Sequence, residues 1–201
     1  MASEVDICNL ALAHLGDAAT VASINPPEGS AQAEHCQRFY PLARDLILDL
    51  HDWNFATRRA TLAELDVDLW DWAYAYVMPA DAVRVLAINA DGAGADAETE
   101  PYRIETDTND TRIIRTDVED ATCKYIALVT DTTRFPPLVT QALSRLLASY
   151  LAGPLIKGAE GAAESKRQLD IFGGVLKQAM EKDARQLARD ITHSPTWIGG
   201  R

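Results

Sequence analysis

The hydrophobic positions along this chain change period twice, which separates helical ends from a strand-bearing middle. From Ser30, the stretch SAQAEHCQRFYPLARDLILDLHDWNFATRRA places apolar side chains at Ala33, Cys36, Tyr40, Ala43, Ile47 and Leu50. Steps of three and four put them on one face of a helix. Phe39, Leu42, Leu46 and Trp53 widen the stripe, which predicts a helix buried on more than a narrow seam. Ser30 follows the breaker cluster Asn25-Pro26-Pro27-Glu28-Gly29 and is placed to cap it. Pro41 lacks the donor for the carbonyl of Gln37 and predicts a kink. The helix should end at His51-Asp52-Trp53-Asn54-Phe55, where two large aromatics follow a charged turn. Pro41, Trp53 and Phe55 therefore read as structural keystones rather than as members of an active site.

Upstream, residues 3–15 form a shorter predicted helix. Ser3 caps it, and Asp6 takes the place of the usual Glu in a capping box. Ile7, Leu10 with Ala11, and His14 with Leu15 mark its expected inner face, and Gly16 ends it. A loop over 17–29 should tuck Val21 and Ile24 against the core.

The period turns to two after Trp53. Phe55–Leu65 is an ambiguous strand. From Leu69 to Pro79, Trp70, Trp72, Tyr74 and Tyr76 alternate with Asp71, Ala73 and Ala75, a strand signal with aromatics on one side. Trp72 and Tyr76 join the keystone residues. Val83–Ile88 is a further strand, and the glycine-rich acidic run Ala90–Glu100 reads as an exposed loop. Tyr102–Thr106 and Arg112–Thr116 flank Thr108-Asn109-Asp110 as the arms of a hairpin, and Cys123–Val129 is the last strand.

Helical spacing returns at Pro136-Pro137 with Leu138, Ala142, Leu146 and Leu147, Tyr150 and Leu151. Gly153-Pro154 should bend or end this helix. A short stretch, 157–161, leads to a last helix over about 162–190, with Leu169, Phe172, Leu176, Met180 and Leu187 as its apolar face and Gly173-Gly174 as a weak point. The tail ITHSPTWIGGR, residues 191–201, has no helical period. The expected fold is α+β: a helical bundle from both chain ends (1–55 and 136–190), a small antiparallel β unit inserted at 56–135, and an extended C-terminal tail at 191–201.

Charge narrows the partners. The net charge of -11 divides into -4 over residues 1–60, -10 over 61–130 and +3 over 131–201. Tight nucleic-acid binding needs clustered Lys and Arg, and the acidic middle would repel DNA. No run approaches the roughly 20 apolar residues of a membrane helix, and the N-terminus has acids where a signal peptide has bases, so no membrane partner is expected. Cys8, Cys36 and Cys123 are odd in number and widely spaced, which favours buried thiols over disulfides.

The chemistry-bearing residue types form no recognised constellation. His14, His35, His51 and His193 make no HExxH pair, and the chain lacks a GxSxG elbow and a GxxxxGK[ST] loop. No catalytic residue, metal or cofactor is expected. The acids of 61–130 could include a catalytic carboxylate pair, as in a hydrolase, but their scatter through loops and polar strand faces favours a solvated or lumen-facing surface. The aromatic strand at 70–76 could stack bases or sugars, but it lacks interleaved bases and favours core or subunit packing. Trp197 and Ile198, following a basic helix end, resemble a linear binding segment.

Several stretches together resemble the head-to-tail adaptors of short-tailed bacteriophages, the tail tubular protein A family. They are ICNLALAHLGD (7–17), FYPLARDLIL (39–48), HDWNFATRRATLA (51–63), WAYAYVMPADAVRVLAI (72–88), the YRIE and RIIRTD strands, KYIALVTDTTRFPPLVTQALSRLLASYLAGPL (124–155) and KQAMEKDARQ (177–186). Their order and spacing cover most of the chain; the loop at 90–100 and the tail match less well.

The resemblance implies a virion protein of the head–tail junction, made in the bacterial host cytoplasm. It implies a ring, a dodecamer, between the portal protein and a tail nozzle protein of the tail tubular protein B type, with genomic DNA passing through without specific binding. It also implies that Ile191, Pro195, Trp197 and Ile198 in the tail bind the portal. A head-completion connector of a longer-tailed phage is the alternative with a similar task.

Overall fold

A computed structural model of the chain describes residues 2–18, 20–68, 71–92 and 98–186, and these form a mixed α+β fold of four helices and two three-stranded antiparallel sheets. The first helix, α1 (Glu4–His14), begins with a complete capping box. The Asp6 N–H donates to Ser3 Oγ at 3.1 Å, and the Ser3 N–H donates to the Asp6 carboxylate at 2.8 Å. Asp serves in place of Glu because the two groups are only one turn apart. The buried face of α1 is Ile7, Cys8, Ala11 and Leu12, and Leu10 is exposed, which corrects the expected inner face by part of a turn. Val21 and Ile24 are buried against the same core, as the loop reading expected.

The second helix, α2 (Ala31–Leu50), is capped by Ser30 and runs unbroken through Pro41. Its buried face is Ala33, Cys36, Tyr40, Ala43, Ile47 and Leu48. The expectation of a wide buried stripe is corrected: Leu42, Leu46 and Leu50 are 59%, 38% and 43% exposed. The helical core covers α2 from one side, so a stripe of this width has an uncovered flank. The thiols of Cys8 and Cys36 meet between α1 and α2, and all three cysteines are buried and free. Their hydrogen bond, together with burial, pushes the Cys8 pKa up.

Two long helices close the chain, α3 (Pro137–Ile156) and α4 (Gly158–Ala184). Gly153-Pro154 does not end α3, which continues to Ile156. The chain reverses at Lys157 (φ 65°, ψ 167°) and Gly158 (φ 60°), not over 157–161, and α4 starts at once. This abrupt reversal lays α4 along α3. A Cβ added at Gly161 would lie 2.9 Å from the carbonyl oxygen of Ala152, so the two backbones are in direct contact there. The expected apolar face of α4 is also corrected. Leu169 is 49% exposed, and its neighbour Gln168 is fully buried in its place. Gln168 can occupy that face because its amide is satisfied. It accepts from Arg145 at 2.9 Å and donates to the carbonyl of His14 at 3.2 Å and to Glu164 at 2.6 Å.

The middle of the chain builds the sheets. The first has the order β1 (Thr57–Thr61), β6 (Ala121–Ala127), β3 (Ala82–Ala90). The second has the order β2 (Tyr74–Val77), β5 (Arg112–Thr116), β4 (Tyr102–Thr106). Central strand β6 shows why there are three layers. Ile126 and, just past the strand, Leu128 join the helical core, while Cys123, Tyr125 and Ala127 join a second core shared with Tyr76, Met78 and Ile114. Strand β3 reaches that second core through Ala82, Val85 and Ile88, a spacing of three that no plain strand provides. Register shifts after Ala82 and after Val85 each insert a residue, so these three stay opposite Ala127, Tyr125 and Cys123. The first sheet therefore lies between two cores, one shared with the helices and one shared with the second sheet. No helix among the described residues is long and apolar enough to cross a membrane.

The aromatic alternation from Trp70 to Tyr76 over-reads the strand. Pairing begins only at Tyr74, because β2 matches residues 113–116 of β5. The Ala73 N–H turns instead to the Asp117 carboxylate at 2.9 Å, leaving Trp72 half-buried outside the ladder. Trp70 lies outside the described residues.

Two glycines of α4 should respond oppositely to a methyl group. Gly161→Ala should destabilise, because the added carbon meets backbone that cannot move aside. Gly173→Ala meets open space on a right-handed helix and should stabilise by about 0.5–1 kcal/mol. Urea unfolding of the two variants checks the contrast.

Candidate interaction surfaces and the joint behind them

The uncovered flank of α2 is a continuous apolar ridge. Leu42, Leu46 and Leu50 follow one another at intervals of one turn. Phe39 continues the ridge inward, stacked on His35 at 6.2 Å and tilted against Tyr150 of α3 at 6.1 Å. Asp45 and Asp49 border the leucines, and Arg84 from β3 reaches Asp49 and Asp52 at 3.5 and 2.7 Å. Apolar surface bordered by charge in this way is the usual composition of an interface patch.

Behind the ridge lies a joint that holds α2, α4 and the first strand together. Trp53 is fully buried, and its indole N–H donates to the carbonyl of Ile47 at 2.7 Å, closing the end of α2. His51 packs edge-on to Trp53 at 4.7 Å, Phe55 packs against its other side at 5.8 Å, and Phe135 continues the row at 5.8 Å. Asp183, buried in the last turn of α4, accepts from the backbone N–H and the side-chain amide of Asn54, both at 3.1 Å. The same amide donates to the Asp183 carbonyl at 2.9 Å, and His51 Nε2 lies 3.4 Å from the carboxylate. Asn54 thus bonds both the side chain and the backbone of one residue 129 positions away.

A second polar cluster ties the other end of the helical layer. His14 Nε2 lies 3.1 Å from Ser144 Oγ, and Gln168 links the His14 carbonyl to Arg145 and Glu164. Burial, and then the nearby Arg145 charge, hold the His14 imidazole below its ordinary 6.5.

The far sheet is negatively charged. Glu64, Asp66, Asp68, Asp71, Asp117, Glu119 and Asp120 are exposed there. The Glu119 carboxylate, followed by burial and by Glu64 and Asp120, pushes the Tyr74 phenol up. Other acids of the middle segment are tied to bases: Asp81 to Arg58, and Glu105 to the buried Arg115 at 2.8 Å. Among the described residues, no three His, Cys, Asp or Glu side chains converge as a metal site would require.

The keystone residues occupy different places. Trp53 and Phe55 meet in the joint, Pro41 is half-buried along α2, Tyr76 is buried between the sheets with its hydroxyl donating to Val118 at 2.8 Å, and Trp72 lies outside the strand. The tail residues Ile191, Pro195, Trp197 and Ile198 lie outside the described residues. Sequence reading missed Asn54, Asp183 and Gln168. One signal was available for Asp183: an acid in the last turn of a helix opposes the dipole and needs a donor from elsewhere. The chain matches no model of a known protein family and no curated protein sequence.

Asp183→Ala should cost about 1–3 kcal/mol, since it leaves the half-buried Asn54 backbone N–H without an acceptor and removes one of the two bonds of the Asn54 amide; the urea midpoint measures it. The depressed His14 pKa fixes the sign of a pH effect. The unfolded chain takes up a proton near 6.5 while the fold still resists it, so stability is present above that value and lost as pH falls below it. Melting temperature should fall from about pH 7.5 to about pH 5.5, with a shallower fall in His14→Gln.

Proposed function

We propose that this protein is a structural adaptor at the head–tail junction of a bacteriophage. It forms a ring between the portal and the tail nozzle and extends the DNA channel. The ordered series of stretches from residue 7 to residue 186 that resembles the tail tubular protein A family supports this reading. The single structural observation that carries it is the leucine ridge of α2. A helix that leaves Leu42, Leu46 and Leu50 in solvent, although its sequence could have placed polar residues there, is built for a partner. The acidic far sheet supports the channel role. Fixed negative charge opposes adhesion of a polyanion that must slide past, and its reach is set by the Debye length, roughly 8 Å at physiological salt.

In this reading the tail residues Ile191, Pro195, Trp197 and Ile198 dock on the portal. Deleting residues 191–201 should leave the melting temperature unchanged and weaken binding to portal-bearing heads by about 30-fold or more, the loss expected for an aromatic interface residue. Quantitative binding of full-length and truncated protein to such heads decides the matter. Undiminished binding of the truncated chain overturns the tail's role, and no binding by the full-length chain overturns the adaptor reading.

A further inference from the structure

The helices cover only one end of their side of the first sheet. Ile126 belongs to the helical core, and the same face of β6 continues through Lys124 to Thr122, where the side chains are half-buried. There Arg59 of β1 stands directly opposite Lys124, and Thr61 and Asn89 stand opposite Thr122 on the two neighbouring strands. These five residues line an open cleft of about 250 Å³, with Asp91 at its rim.

The facing bases are at odds with the rest of the strands. Like charges directly opposite one another destabilise a sheet. Other bases of this region have carboxylates: Arg58 pairs with Asp81, Arg84 with Asp49 and Asp52, and Arg115 with Glu105. Acids are not scarce, since residues 61–130 carry a net charge of -10. Yet the side chains of Arg59 and Lys124 have no ion pair among the described residues, and Asp91 reaches neither of them.

Hydrogen bonding leaves the same polarity. Thr122 donates its hydroxyl hydrogen to the Asn89 carbonyl at 3.1 Å, and the Asn89 amide donates to the Glu98 carbonyl at 2.7 Å. Apart from the Asp91 carboxylate, the groups of the cleft without a side-chain partner among the described residues are the Arg59 guanidinium, the Lys124 ammonium and the Thr61 hydroxyl. All three can donate.

We infer that Arg59, Lys124 and Thr61 form a binding site for a small phosphate group. Two cations and a hydroxyl suit a dianion with several acceptor oxygens, which also relieves the repulsion between the facing bases. The cleft is smaller than sites for drug-sized ligands, which begin at roughly 300 Å³, and suits a single headgroup. The acidic segment around it repels a long polyanion while one dianion can enter. This site is independent of the adaptor reading, and neither needs the other.

The test is a titration of full-length, 15N-labelled protein with inorganic phosphate and, separately, with glycerol phosphate, at ionic strength held constant with chloride. Amide signals of residues 59–61 and 122–124 should shift and saturate with a Kd of about 1 mM. Arg59→Gln and Lys124→Gln should each bind at least tenfold more weakly, and Thr61→Val, which keeps both charges, about fivefold more weakly. Melting curves without phosphate confirm that each variant is folded, and Thr61→Val keeps the test decisive if a charge variant is not. A monoester that binds at least as tightly as the free ion assigns the site to an ester; a weaker one assigns it to the free ion. No saturation in wild type by about 10 mM, charge variants that bind like wild type, or shifts confined to other residues overturn the site. Short duplex DNA should leave these amides unmoved; duplex that shifts them and competes with phosphate overturns the assignment to a small phosphate group.

Discussion

The structure depends on one buried carboxylate. Asp183 is placed at the end of α4, where the helix dipole disfavours an acid, and it is removed from solvent. Both penalties are offset by donors from Asn54, at the point where the chain leaves α2 and enters the first strand. Charge-assisted hydrogen bonds of this kind are about twice as strong as neutral ones, and directional. They fix where the last turn of α4 meets the turn between α2 and β1. The row His51, Trp53, Phe55 and Phe135 packs beside this contact and excludes water from it. Without the polar lock the aromatics could bury the same area in other arrangements, since apolar contact alone is non-directional.

From that joint the fold extends in layers. The helices bury one face of the first sheet, and the second sheet buries the other. The two bulges of β3 let a strand of irregular spacing serve both cores. The consequence is an object with two unlike ends. The helical end presents leucines; the far sheet presents acids. Such polarity suits a protein that must join neighbours at one end while turning a negative surface elsewhere.

Much of the local structure was legible in the sequence. Ser3 with Asp6 and Ser30 marked two helix starts correctly, Pro136-Pro137 a third, and the hairpin arms at 102–106 and 112–116 fell on the observed strands. Each of these signals acts within a few residues, so chain neighbours suffice to set it. The readings that failed concern faces rather than elements. Leu42, Leu46 and Leu169 have the right spacing to be buried, but spacing defines a stripe and leaves open how much of it another element covers. Trp72 has the right alternation for a strand, but strand length is set by the partner, and β5 supplies four positions.

The sequence by itself determined the α+β class, three of the four helix starts, the hairpin and the buried thiols, because periodicity, capping and turn chemistry are short-range. Only the tertiary structure decided that Gln168 and Asp183 are interior, that the first sheet is packed on both faces, and which leucines remain in water. Those outcomes depend on donors and surfaces brought together from distant parts of the chain, such as Asn54 and Asp183. The pattern along one segment carries no information about what will be packed against it.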